Sequence, residues 1–188
     1  MKIEKIILGS QSPRRRAYIE YLGYPVETIS PDVEETFPKD IPLQKVPEFL
    51  AELKANSLLF ELNSGEVLIT CDTIVILDNE ILGKPEDENH AIELLKRLSG
   101  RTHKVVSGVF IKTLKKSLSF SVSTLVTFTS LSDEEIIKYV NEFKPLDKAG
   151  AYGIQDKIGI VGVEKIEGSY MNVIGLPVAQ IRERLNSL

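Results

Sequence analysis

The chain has one cysteine and two histidines in 188 residues, and these scarcities remove several functional classes at once. A lone Cys71 excludes an internal disulfide and suits a reducing compartment. With only His90 and His103 and no Cys/His cluster, a structural zinc site is not expected. Basic residues are not in excess: 23 Lys and Arg stand against 27 Asp and Glu, a net charge of −4. That balance argues against a general nucleic-acid binder, whose footprint is a basic surplus. No apolar run approaches the length of a membrane span. The start, Met1-Lys2-Ile3-Glu4-Lys5, holds no long apolar stretch, so a signal peptide is not expected and a cytoplasmic location is. Walker A, GxGxxG and HExxH sequences are missing, as are repeats and low-complexity linkers.

What remains is ordinary for a globular protein, with 43% hydrophobic and 27% charged residues. The length allows one large domain or two small lobes with a real core. The run Ile6-Ile7-Leu8-Gly9-Ser10 reads as a buried strand. Ser12-Pro13 then reads as a helix start, N-cap followed by first helical residue, with Gly23 closing the helix. Further strands are expected at Val26 to Ile29, Val67 to Leu77, Glu80 to Leu82, Val105 to Lys112 and Leu118 to Phe128. Apolar spacing predicts a long helix from Leu43 to Leu62 and another carrying Ala91, Leu94, Leu95 and Leu98. Ser132 with Glu135 forms a capping box. A glycine-rich segment at Ala149 to Gly153 precedes a strand-like run near Ile158 to Val163, and Pro177 opens a final helix. Helices interspersed with long hairpin-like strands point to an α/β or α+β fold around a mixed sheet.

Arg14-Arg15-Arg16 fill the first turn of the first helix, where the macrodipole is already positive and acidic residues are favoured. An anion there would relieve the conflict, and phosphate is the obvious one. The alternative is that the arginines splay into solvent, above all Arg15 and Arg16. Asp72 is the second anomaly, a carboxylate inside Leu68-Ile69-Thr70-Cys71-Asp72-Thr73-Ile74-Val75-Ile76. Burying it unpaired costs several kcal/mol or shifts its pKa. It is either a general base or metal ligand, or it sits at a bulge or strand end and pairs with a lysine. Lys54 and Lys84 taken alone read as surface lysines, Lys84 being held in a tight Gly83-Lys84-Pro85 loop. Glu34 and Glu35 could bind a divalent cation or simply solvate an acidic loop. Gln155 ends Ala149-Gly150-Ala151-Tyr152-Gly153-Ile154-Gln155. Its amide could read a nucleobase edge, or lie exposed on a tight loop. His90 and His103 read as structural or surface residues, and Cys71 as a small strand residue. Together these groups suggest a phosphoanhydride substrate carrying a base.

Motifs along nearly the whole chain, in the same order, resemble the Maf family of nucleoside triphosphate pyrophosphatases. They are Leu8-Gly9-Ser10-Gln11-Ser12-Pro13-Arg14-Arg15-Arg16, Cys71-Asp72-Thr73-Ile74-Val75 and Leu82-Gly83-Lys84-Pro85. Leu98-Ser99-Gly100-Arg101-Thr102-His103, Asp147 to Gln155 and Val173-Ile174-Gly175-Leu176-Pro177 complete them. The resemblance implies a single Maf-like domain over 1–188, with a bent mixed sheet flanked by helices. It further implies two lobes and a central cleft like those of the inosine triphosphate pyrophosphatases. It implies hydrolysis of a nucleoside triphosphate to monophosphate and pyrophosphate with a divalent metal (Mg, Mn or Co). Asp72 would be proton acceptor, and Arg14, Thr73 and Gln155 would govern substrate choice. That combination resembles the dTTP/UTP-selective branch, with modified pyrimidine nucleotides in its range. Lys54, Lys84 and Glu35 match other polar positions of the cleft. Ser12 and Arg15 are expected to support the phosphates, and Glu35 with Asp72 to hold the metal. Asp156-Lys157 follows Gln155 where glycine is common in the family. The expected partner is the nucleotide, with no nucleic acid or membrane, and a homodimer is allowed. A nucleotide-sensing regulator of cell division that need not cleave its ligand is the alternative.

Overall fold

The computed structural model describes residues 2–58 and 60–188. A seven-stranded mixed sheet runs in the order β2-β1-β3-β5-β6-β7, with β4 paired to β3. The strands are β1 (Lys5–Gly9), β2 (Val26–Ile29), β3 (Glu66–Leu77), β4 (Glu80–Leu82), β5 (Thr102–Lys112), β6 (Ser117–Phe128) and β7 (Val163–Glu167). Pairing is parallel for β1 with β2 and with β3, and antiparallel for β3 with β4 and β6 with β7. The helices are α1 (Pro13–Ile19), α2 (Val46–Ser57), α3 (Glu88–Leu98), α4 (Asp133–Phe143), α5 (Lys157–Gly162), α6 (Tyr170–Ile174) and α7 (Val178–Asn186). No helix among the described residues is long and apolar enough to cross a membrane.

The chain divides into two compact units. The first holds Met1–Asp72, Ser107–Val122 and Gly175–Leu188; the second holds Thr73–Val106 and Ser123–Ile174. In the first unit one core gathers Ile6, Leu8, Ile69, Cys71, Val109, Leu176 and Ile181, and a second gathers Ile7, Leu68, Phe110, Ala51 and Ala55. Neighbouring residues Ile6 and Ile7, or Ile69 and Leu68, fall into different cores because a strand turns successive side chains to opposite faces. Covered on both faces, β1 and β3 read as nearly continuous apolar runs. In the second unit α3 presents Ala91, Leu94, Leu95 and Leu98 inward and packs on α4, which presents Ile136, Tyr139 and Val140. The Ser132/Glu135 capping box forms as expected.

Two sequence expectations fail. The helix expected over Leu43 to Leu62 is confined to α2, preceded by a 3₁₀ turn at Leu43–Lys45, and residue 59 lies outside the described residues. Pro47 suits the first turn of α2, because proline lacks the donor that an earlier start would require. The strand expected near Ile158 to Val163 is instead the short helix α5, and the strand β7 begins at Val163. Gly159 lies so close to the backbone of Ile154 that a side chain would intrude there, so close approach outweighs the β propensity of the run.

Candidate active site

In the first unit the arginine turn resolves into three different environments. Ser12 caps α1 by accepting from the Arg15 N–H, and its own N–H donates to Ser10 Oγ at 3.2 Å. Arg16 is exposed and pairs with Glu20 at 3.3 Å. Arg15 turns inward: its Nε donates to the Gly175 carbonyl at 2.9 Å and its Nη1 to the Cys71 carbonyl at 2.7 Å. It therefore braces the start of α1 against the residue preceding Asp72, a role charge patterning alone did not reveal. Arg14 is half-buried. Since α1 is only seven residues long, its dipole is modest, and attraction for an anion rests on the arginine side chains themselves.

Asp72 is 7% exposed on β3. Its Oδ1 lies 2.5 Å from Lys54 Nζ, and the same ammonium lies 3.0 Å from Glu35 Oε1. The strand carboxylate is thus paired with a lysine, as one of the two sequence readings required, and that lysine sits far from it along the chain. Three anchors on α2 bring it there. Glu48 accepts from Ser119 Oγ at 2.9 Å and from Ser121 Oγ at 2.7 Å. A side chain at Gly108 would run into the Pro47–Glu48 backbone, so that glycine lets the start of α2 lie directly on β5. Thr70 Oγ1 donates to the Ala51 carbonyl at 2.6 Å. Asp72 shares a strand face with Thr70, and Lys54 lies about one helical turn beyond Ala51, so the two side chains meet. Breaking such a buried pair from one side leaves a stranded charge. The second carboxylate oxygen, Oδ2, has no hydrogen bond among the described residues.

Glu35 and Asp72 converge on a single cationic centre, now Lys54 Nζ. Two carboxylates are the hard oxygen donors that Mg²⁺ or Mn²⁺ takes, so the residues fit a divalent ion. No group of three or more His, Cys, Asp or Glu side chains converges among the described residues, so protein ligands would be a minority of the ion's shell.

The second unit carries the other sequence candidates. Thr73 follows Asp72 on β3 and is half-buried. Lys84 is exposed, without a hydrogen bond or ion pair among the described residues. Its loop is tied down next door, where the Gly150 N–H donates to the Gly83 carbonyl at 3.0 Å. Gly150 has φ +67°, and a Cβ on it would lie 3.1 Å from Val75. Buried Ala151 continues the left-handed backbone at φ +59°, which makes this a strained bend. The bend brings the Gly83-Lys84 loop together with the segment leading to Gln155. Tyr152, between them, is buried with its hydroxyl 2.7 Å from His103 Nε2, and Phe128 packs on both rings. Burial lowers the His103 pKa to about 4 and raises that of Tyr152. His103 is thus a neutral structural residue rather than a catalytic base. His90 is half-buried near the start of α3, with its N–H on the capping Asp87. Gln155 is half-exposed, and its amide has no hydrogen bond among the described residues.

Residues 5–188 match the family described as Maf-like protein. The chain belongs to the Maf family. Among Maf relatives, the dTTP/UTP pyrophosphatase of Phocaeicola vulgatus is 47% identical over 186 residues, covering 98% of this chain and 96% of that protein. The dTTP/UTP pyrophosphatase of Flavobacterium johnsoniae is 45% identical over 188 residues, covering 100% and 97%. Solved structures of Ham1 proteins share the fold of this Maf chain. That of Coxiella burnetii has a TM-score of 0.55 at 15% identity, covering 99% of this chain and 100% of its own. That of Staphylococcus aureus has a TM-score of 0.56 at 16% identity, covering 98% and 99%.

Proposed function

We propose that this Maf protein hydrolyses dTTP and UTP, and modified pyrimidine nucleotides of the same form, to the monophosphate and pyrophosphate. The observation that carries this reading is Asp72. A carboxylate 7% exposed on an apolar strand is anchored through one oxygen by Lys54, while the other has no hydrogen bond among the described residues. An anchored base with an accepting oxygen to spare suits proton abstraction from water.

In this reading Arg14, Ser12 and Lys84 bind phosphate oxygens, and Arg15 keeps Arg14 and Ser12 close to Asp72 through the Cys71 carbonyl. Water attacks the α-phosphorus, its proton passes to Asp72 Oδ2, and the bond to the α–β bridging oxygen breaks to release pyrophosphate. Glu35 would hold the divalent ion, Mg, Mn or Co, whose contribution is to neutralise phosphate charge. Asp72 would join it as a ligand in the alternative in which its carboxylate holds the ion instead of taking the proton. Lys54 holds Asp72 in place through Oδ1. Gln155 offers a donor and an acceptor to the pyrimidine edge, and Thr73 flanks the same end of Asp72 along the chain. Positioned charge, rather than a covalent intermediate, supplies most of the rate. The whole chain, 1–188, acts as one Maf-like domain in the cytoplasm, and light scattering distinguishes a homodimer from a monomer.

The test is product release from dTTP, UTP, CTP and modified pyrimidine triphosphates at equal concentration with Mg²⁺, Mn²⁺ or Co²⁺. Pyrophosphate and monophosphate should appear, fastest from dTTP and UTP. Orthophosphate as first product would indicate a phosphatase instead. Nucleotide binding with no release from any substrate would indicate a sensor.

A further inference from the structure

Asp156 stands at the N-cap position of α5, yet its carboxylate makes no hydrogen bond to that helix. It is engaged in the opposite direction. The hydroxyl of Tyr139, on α4, donates to Asp156 Oδ2 at 3.1 Å, and Lys148 Nζ lies 3.7 Å from the same oxygen. The Tyr139 oxygen also accepts from the Gly153 N–H at 3.3 Å. Gly153 and Asp156 are the first and last residues of a turn closed by the Asp156 N–H on the Gly153 carbonyl at 3.0 Å. One hydroxyl therefore ties both ends of the turn, and Gln155 is its third residue.

The turn is also tight. A Cβ on Gly153 would lie 2.8 Å from the Asp156 carboxyl carbon and 3.0 Å from Gln155 Nε2. The Gln155 amide and the Asp156 carboxylate thus fold over the same bare glycine. Since the amide has no hydrogen bond among the described residues, its aim is set by the backbone of the turn. Burial first, and then the charge of Asp156, hold the Tyr139 pKa well above the usual phenol range, so the hydroxyl remains a donor at any working pH.

We propose that Tyr139 and Asp156, backed by Lys148, are positioning residues for base selection, holding the Gly153–Asp156 turn so that Gln155 meets a pyrimidine at one place and angle. This rests on the reading of Gln155 as the base-reading residue. Neither Tyr139 nor Lys148 touches the base in this account. A displaced amide costs hydrogen bonds to the preferred base but not to one it already fits poorly, so discrimination falls.

The experiment compares kcat and KM for UTP, dTTP and CTP in the intact protein and in Tyr139→Phe, Asp156→Asn, the double variant and Gln155→Ala. Tyr139→Phe should raise KM for UTP and dTTP about fivefold to tenfold, as for one lost hydrogen bond. The preference for UTP over CTP should narrow by a similar factor, with a smaller change in kcat. Asp156→Asn should act in the same direction, and the double variant should exceed neither single effect by much, since one network is broken once. Asparagine caps helices as well as aspartate does, so a lost cap cannot explain its effect. Both singles keep the side-chain shape, which guards against misfolding, and circular dichroism checks it. An unchanged UTP-to-CTP ratio in both singles, alongside a shifted ratio in Gln155→Ala, overturns the positioning role alone. An unchanged ratio in Gln155→Ala overturns the base-reading role and this proposal with it.

Discussion

The two units treat their charged and polar candidates in opposite ways. In the first, Asp72, Lys54 and Glu35 form one ion-pair chain, and Arg15 is bound to two carbonyls. In the second, Lys84 and Gln155 have no hydrogen bond among the described residues, while the backbone beneath them is tightly tied. A base needs a fixed, anchored carboxylate, because proton transfer is sensitive to distance and environment. A side chain that binds a ligand gains more if its own hydrogen-bonding capacity is unspent beforehand. The contrast separates groups suited to chemistry from groups suited to recognition, and it can be attacked from both sides.

The largest effect is expected from Asp72→Asn, which keeps an oxygen for Lys54 but removes the proposed base. The turnover number should fall by about 10³, within the range for general-base removal, with nucleotide affinity nearly retained. Full activity in single-turnover assays would remove Asp72 from the mechanism. Next come two lysines treated alike. Lys54→Met strands Asp72 in a buried position and should cost about 3–5 kcal/mol in urea unfolding. Lys84→Met, at an exposed residue with no ion pair among the described residues, should change stability by less than about 0.5 kcal/mol while weakening nucleotide binding. Equal stability losses would erase the distinction between the units.

A third probe uses protons. His103 has a folded-state pKa of about 4 because burial disfavours its charge, and its Nδ1 has no partner among the described residues. Unfolded, it titrates near 6.5. Its neutral form is native at higher pH, so its contribution is intact above pH 6.5. It is lost as pH falls from there towards 4, by on the order of 3 kcal/mol. That slope should vanish in His103→Gln, measured by unfolding across the pH range. The smallest effect is Gln155→Ala, which should narrow the UTP-to-CTP preference about tenfold, roughly 1.4 kcal/mol, with little loss of stability. Loss of kcat on all bases equally would make Gln155 part of the chemistry, and the contrast would blur.

Much of this was legible beforehand where local rules decide. Ser12-Pro13 marked a helix start, Ser132 and Glu135 a capping box, and Ala91, Leu94, Leu95 and Leu98 a buried stripe, all present in the fold. Asp72 was conspicuous because a charge in an apolar strand demands an explanation. The run after Asp156 misled, since its apolar residues suit a strand as well as a helix and the close packing of Gly159 decided the matter. Tyr139 gave no signal beyond its place on an apolar stripe.

By itself the sequence determined which segments are helix or strand at strong signals, that Asp72 needed either a partner or a chemical role, and the Maf resemblance that the family match bears out. Only the tertiary structure decided that Lys54 is the partner of Asp72, that Arg15 is a brace rather than a free cation, and that Tyr139 ties the two ends of the turn carrying Gln155. Caps and periodic stripes act within a few residues of chain and are written in order. Ion pairs and turn braces join residues far apart in sequence, and packing alone sets which of many candidates arrive within hydrogen-bonding distance.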